Sequence, residues 1–139
     1  MERKLRQGGC LCGAVRFTAT GDAGHVNLCH CRMCRKAGGA PVVAWATFPS
    51  AQVAFSTPPR WHKSSEAAER AFCPTCGSAL AWREFANPSE IDLTVGTFDE
   101  PDELKPQDHL WTDASIRWLK IDDHLPRYHT TRKGALVKG

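Results

Sequence analysis

No run of about 18 apolar residues, the length that carries a helix across a bilayer, occurs in this 139-residue chain. A membrane-spanning role is therefore not expected. Behind Met1 the text E-R-K-L-R-Q-G-G lacks the apolar stretch of about 7 to 15 residues that marks a secretory signal, so the sequence predicts a reducing, cytoplasmic setting. Acidic and basic side chains are interspersed, the formal net charge is +3, and neither a basic stripe nor an amphipathic run is present. Nucleic acid and membrane surfaces are accordingly not expected partners. The chain also lacks a solenoid repeat, a low-complexity segment, a Ser-His-Asp arrangement and a phosphate-cradling glycine loop. With 42% hydrophobic content the chain can bury one real core, and its length argues against two.

Against these absences stand seven cysteines in three tight clusters. Cys10 and Cys12 flank Leu11, Cys29, Cys31 and Cys34 fall in C-H-C-R-M-C, and Cys73 and Cys76 fall in F-C-P-T-C-G-S. An odd count, with partners one or two residues apart, suits disulfides poorly. It suits zinc, whose thiolate ligands lie at ~2.3 Å and come in short-range groups on tight turns. Seven is four plus three: four thiolates close a tetrahedral zinc, whereas three leave a position for water or substrate. In a regular strand residues i and i+2 sit roughly 6.5 to 7 Å apart, against the roughly 3.8 Å between sulfurs on one zinc. The backbone at each C-x-C must therefore bend. Gly13 after Cys12 and Gly8-Gly9 before Cys10 offer that freedom, and Pro74 and Gly77 set a turn around the last pair. Spacing alone permits more than one partition of the three clusters between two metals.

The rest reads as β-structure with little helix. Ala14 to Thr20 alternates apolar and polar residues before a Gly21-Asp22 turn, and Pro41 to Phe48 is a β-branched and aromatic run. Short strands are expected around Val53 to Phe55, at Ala71-Phe72, over Ala79 to Phe85 and Ile91 to Phe98, and at His109 to Trp111. Arg32 to Ala37 predicts a short helix that Gly38-Gly39 stops. Ile116 to Ile121 contributes Trp118 and three aliphatic side chains, and the tail from Tyr128, basic and without acidic residues, is expected to be frayed or loosely docked. The expected organisation is a zinc-binding domain over residues 1–128 and a basic tail over 129–139.

Three segments, G-G-C-L-C-G-A-V-R-F at Gly8 to Phe17, C-H-C-R-M-C-R-K at Cys29 to Lys36 and F-C-P-T-C-G-S-A-L at Phe72 to Leu80, together resemble the signatures of the glutathione-dependent formaldehyde-activating enzyme family, also called centromere-protein-V-like. The resemblance runs from about Leu5 to about Pro126. It implies a β-tent fold of antiparallel sheets with two zinc sites, hence two Zn²⁺ per chain. By motif position Cys10, Cys12, Cys73 and Cys76 would hold the closed, structural zinc, and Cys29, Cys31 and Cys34 the open one. The implied chemistry is a lyase step in which formaldehyde condenses with the thiol of glutathione to give S-hydroxymethylglutathione. A small-molecule thiol is thus the expected partner.

Arg32, Arg35 and Lys36 beside the three-cysteine run are candidates for holding a substrate carboxylate, set against the reading of a solvated charged face. His30, between two presumed ligands, is expected to point away from the metal and to support or pack against the ligands. His25, His62 and His109 could complete the open site only through a tertiary contact. Glu84, Glu90 and Asp92 are acidic candidates for proton transfer that no pattern singles out, and the five tryptophans are first of all packing residues. Besides the enzyme, two readings stay open: a non-catalytic zinc scaffold that binds a protein, and a metal or redox sensor.

Overall fold

The computed structural model describes residues 4–138; residues 1–3 and 139, at the two ends of the expected domain and tail, lie outside the described residues. Among the described residues ten strands and one α-helix follow in chain order: β1 (Leu5–Gly9), β2 (Arg16–Thr20), β3 (His25–Cys29), α1 (Arg32–Gly38), β4 (Val43–Pro49), β5 (Val53–Phe55), β6 (Arg60–Lys63), β7 (Ala68–Phe72), β8 (Ala79–Glu84), β9 (Glu90–Thr94) and β10 (Asp108–Leu110). The fold is mainly β, as expected. A three-stranded antiparallel sheet has the order β1-β2-β5, and a seven-stranded sheet the order β10-β3-β4-β9-β8-β7-β6. The larger sheet is mixed, because β10 joins β3 in parallel while its other pairs are antiparallel.

Alternation along the strands gives the large sheet two different faces. Val26 of β3, Ala46 and Phe48 of β4, Ile91 and Leu93 of β9 and Ala81 of β8 belong to one core with Phe17 and Ala19 of the small sheet. Phe17 meets Phe98 edge-on at 5.0 Å between ring centres. Full burial of Phe17, Phe48 or Leu93 contributes about 1.5–3 kcal/mol each. The intervening residues occupy the opposite face. Register aligns Asn27 with Trp45, Trp45 with Thr94, Thr47 with Asp92, Asp92 with Trp82 and Trp82 with Arg70. That outer face carries nearly all the chemistry described below.

Gly8 and Gly9 lie in β1 rather than in a bend, so their role differs from the one expected. A Cβ on Gly8 would meet the Phe17 ring and lie 2.5 Å from the carbonyl oxygen of Thr97, so glycine there permits close packing. The turn freedom sits instead at Gly13 (φ +83) and Gly77 (φ +81).

One other expectation changes. The strand expected to reach Phe98 ends at Thr94 and tightens into a 3-10 turn, Val95–Thr97, closed by hydrogen bonds that Thr94 and Thr97 exchange. Of the two alternatives for the tail, frayed or loosely docked, the docked one is observed: Tyr128 bridges Leu136, Val137 N donates to Arg127 O at 2.7 Å, and Trp111 N donates to Thr130 O at 2.8 Å. Its physical role is to cover the exposed edge of β10, where Tyr128 N donates to His109 O and His109 N to Pro126 O. The Ile116–Ile121 region forms no strand, and Trp118 is largely exposed.

Candidate metal centres and the adjoining cavity

Cys10 follows β1 and Cys73 follows β7, so one cysteine pair hangs from each sheet. The turns bring Cys10, Cys12, Cys73 and Cys76 together with all sulfurs within 4.8 Å of one another. Cys10 and Cys12 sulfurs are 3.6 Å apart, and Cys12 and Cys73 sulfurs 3.8 Å apart. Those separations match the roughly 3.8 Å edge of a tetrahedron with ~2.3 Å bonds, so this donor set fits a zinc ion. Each turn aims backbone N–H groups at sulfur. Val15 N donates to Cys10 Sγ at 3.3 Å, and Thr75 N and Cys76 N donate to Cys73 Sγ at 3.4 and 3.5 Å. Such donors stabilise thiolate charge and fix ligand orientation. A hydrogen bond with Ser78 Oγ, followed by the backbone N–H of Cys12, lowers the Cys76 thiol to about 5.

The second set is built from one strand end and one helix start. Cys29 closes β3, Cys31 caps α1 by accepting the Cys34 N–H at 3.2 Å, and Cys34 is the buried residue of that helix. Gly39, at φ 62, ends the helix and donates its N–H to Arg35 O. The three sulfurs also lie within 4.8 Å of one another. Among the described residues no histidine or carboxylate joins them at that spacing, so the protein supplies three donors. Without a cation these sulfurs cannot all ionise: hydrogen bonding to Cys31, then to Cys34, pushes the Cys29 thiol up, while the bond from Cys29 holds Cys31 low. A divalent, thiophilic ion resolves that conflict.

Arg70 is the residue beside this cluster that the motifs did not reveal. It projects from β7 on the outer face, with Nη2 3.6 Å from Cys34 Sγ and its guanidinium 5.9 Å from the Trp45 ring centre. Its Nε is buried without a partner. A cavity of about 250 Å³ opens here, lined by Cys34, Trp45, His62, Arg70, Phe72 and, next to the four-cysteine set, Gly77. Arg32 and Lys36 are instead exposed on α1, and Arg35 is half-buried; none of the three lines this cavity, although their neighbours Ala37 and Gly38 do. No local signal marks Arg70, because only the pairing of β7 with β8 and the order of the sheet bring it to a cysteine 36 positions earlier.

The histidines separate by role. His62 reaches the cavity wall, whereas His25 is buried between Asp108, 3.0 Å from Nε2, and Arg132, 2.6 Å from Nδ1. His30 is buried and faces away from the sulfurs' group. Its Nε2 lies 2.8 Å from His109 Nδ1, and His109 Nε2 donates to Asp123 at 2.9 Å. Burial first, and then the charge of His109, lowers His30 to about 4, so it stays neutral at ordinary pH. Arg127 clamps Asp123 at 2.8 Å. The chain of contacts ties the Cys29–Cys31 turn to the C-terminal segment. Of the acidic candidates, Asp92 is half-buried and accepts from Thr47 Oγ1 at 2.6 Å, while Glu84 and Glu90 are exposed. All three line a separate cavity rather than the one beside the cysteines.

Comparison with known proteins follows the same residues. The profile of the family described as glutathione-dependent formaldehyde-activating enzyme matches residues 5–114. A Schizosaccharomyces pombe protein described as an uncharacterized lyase is 32% identical over 88 residues, 62% of this chain and 64% of that protein. The chain thus matches less than two thirds of the length of that relative. A crystal structure of a Rhodobacter sphaeroides protein shares the fold, with a TM-score of 0.53 at 22% identity over 67% of this chain and 87% of the other. No helix among the described residues is long and apolar enough to cross a membrane.

Proposed function

The chain belongs to the glutathione-dependent formaldehyde-activating enzyme family, and from that premise we propose that it is a zinc-dependent carbon-sulfur lyase acting on a small thiol–aldehyde adduct such as S-hydroxymethylglutathione. Family membership and the lyase relative support lyase-type chemistry. The observation that carries the finer reading is the contrast in donor number: four sulfurs in one set, and three beside a cavity in the other. Cys10, Cys12, Cys73 and Cys76 would hold a structural zinc, and Cys29, Cys31 and Cys34 a second one. A bound zinc ion supplies a Lewis acid and lowers the pKa of a thiol or an aldehyde hydrate in its reach.

The balanced step is addition of the substrate thiol to formaldehyde. The sulfur–carbon bond forms, the C=O double bond becomes a single bond, and the thiol proton ends on the new hydroxyl. The protein's own contribution is positional. Arg70 places positive charge beside Cys34, where it favours thiolate over thiol and can hold an anionic group of the substrate. Trp45 and Phe72 give the cavity apolar walls that limit water. Arg32, Arg35 and Lys36 do not line the cavity, but on neighbouring α1 they would add positive charge that suits the same anionic substrate.

Mixing ¹³C-formaldehyde, glutathione and the zinc-loaded chain and following the adduct by exchange NMR tests the proposal. Adduct formation and breakdown should both accelerate in proportion to protein concentration. Absence of acceleration with glutathione and with simpler thiols would favour the zinc-scaffold reading.

A further inference from the structure

A larger cavity, about 450 Å³, lies on the outer face of the seven-stranded sheet with no cysteine in its lining, and the chemistry proposed above does not use it. Asn27, Thr47, Trp82 and Asp92 line its sheet wall, and Arg132 and Lys133 of the docked tail line the other side. Two features mark it as built to receive a ligand. Asn27 is buried, and its side-chain oxygen has no hydrogen-bond partner. Such an acceptor is normally satisfied, and here the vacancy faces a space large enough for a small molecule. Asp92, half-buried on the same wall, accepts a hydrogen bond from Thr47, and no ion pair with a cationic side chain is formed by it among the described residues. Exposed Glu84 and Glu90 add negative charge at the same wall.

The acceptors do not gather as a chelate, because among the described residues only the cysteine sets bring three or more ligand atoms within 4.8 Å. Dispersed acceptors suit a group with several diverging N–H donors, which describes an ammonium. Across the cavity Arg132 donates to His25 Nδ1 at 2.6 Å, and His25 in turn is backed by Asp108 at 3.0 Å. This anchoring orders a guanidinium that retains further donors for an anion. We propose that this cavity is a binding site for a zwitterionic α-amino-acid group, its ammonium received by Asn27 and Asp92 and its carboxylate by Arg132 and Lys133. Asn27 precedes Cys29 by two residues on one face of β3, roughly 6.5 to 7 Å along the strand, so an occupant neighbours the three-cysteine turn.

The site is tested on the zinc-loaded full chain by ¹⁵N NMR and calorimetry, with glycine, alanine, serine and glutamate as probes. None of them carries a thiol, so the outcome is independent of the lyase reading. At least one should bind saturably and shift the Asn27 side-chain amide and the Arg132 guanidinium resonances. Asn27→Ala and Arg132→Gln should each weaken that binding about tenfold or more, and methylammonium and acetate should bind at least tenfold more weakly than the zwitterion. The Arg132 variant removes a surface contact of the tail, so it keeps the test valid should Asn27→Ala fail to fold. Absence of saturable binding by all four probes, unchanged affinity in Arg132→Gln, or methylammonium binding as tightly as the amino acids would overturn the proposal.

Discussion

The two cysteine sets use the same side chain and the same metal-sized spacing, yet they sit in different mechanical settings. The four-cysteine set joins turns that leave β1 and β7, one from each sheet, and it offers the four donors that a tetrahedral zinc would take. Cys12 and Cys76 are exposed there, so the set lies at the surface, with its charge answered by backbone N–H groups. The three-cysteine set joins no two sheets. Its Cys29 and Cys34 are buried with Trp45, its charge is answered by the side chain of Arg70, and a cavity adjoins it. Four donors can close a tetrahedral zinc, whereas three leave a position for water or substrate, so the two sets differ in what a bound ion could do.

The largest expected effect separates the sets by folding. Structural zinc in small domains contributes apparent binding free energy on the order of 10 kcal/mol, comparable with a whole domain's stability. Cys73→Ser should therefore yield aggregated or unfolded protein, read by soluble yield and loss of chemical-shift dispersion. Next comes Arg70→Gln. Losing the cation beside Cys34 should lower kcat/KM for the thiol–formaldehyde reaction by about tenfold to a hundredfold while the melting temperature barely moves. An equal loss of melting temperature would make Arg70 part of the scaffold.

Asp92 probes the outer face away from both sets. Burial first, then Glu90 and Glu84, raises it to about 6 from 3.8. The folded state thus holds the Asp92 proton more tightly than the unfolded chain does, and stability is lost as pH rises through 6. Asp92→Asn escapes that loss, so it should be more stable than wild type at pH 8 by on the order of 2 kcal/mol, with the gain shrinking as pH falls below about 6 and gone near 3.8. Denaturant unfolding at several pH values measures the difference. The smallest effect tests the turn that presents Cys73 and Cys76: Gly77 is at φ +81 with open space around its Cα. Gly77→Ala should therefore cost only backbone strain, about 1–2 kcal/mol, seen as a modest fall in melting temperature.

Much of this contrast was legible in the sequence because it is local. The cysteine spacings, Gly13 and Gly77 at the turns, and the short helix from Arg32 stopped at Gly39 are set by neighbours along the chain. Strands such as Arg16–Thr20 and Val53–Phe55 show their alternation or bulk within a few residues. What escaped depends on pairing between distant segments. Arg60–Lys63 reads R-W-H-K and earns its strand only from its partner β7, and Arg70 reaches Cys34 only through the order of the large sheet. The contacts from His30 through His109 to Asp123 join segments 79 and 14 residues apart. The tail, basic in composition, was expected to be frayed or loosely docked, and its backbone is held at the edge of β10 by pairing that no local pattern shows.

The most direct test of the difference between the sets is native mass spectrometry of zinc content, with melting temperature in parallel, on wild type and Cys31→Ser purified under reducing conditions. The account predicts two zinc ions for wild type, and one for a Cys31→Ser protein that stays folded with a melting temperature near that of wild type. A Cys31→Ser protein that loses both ions and unfolds, or a wild type that binds a single ion, would contradict it.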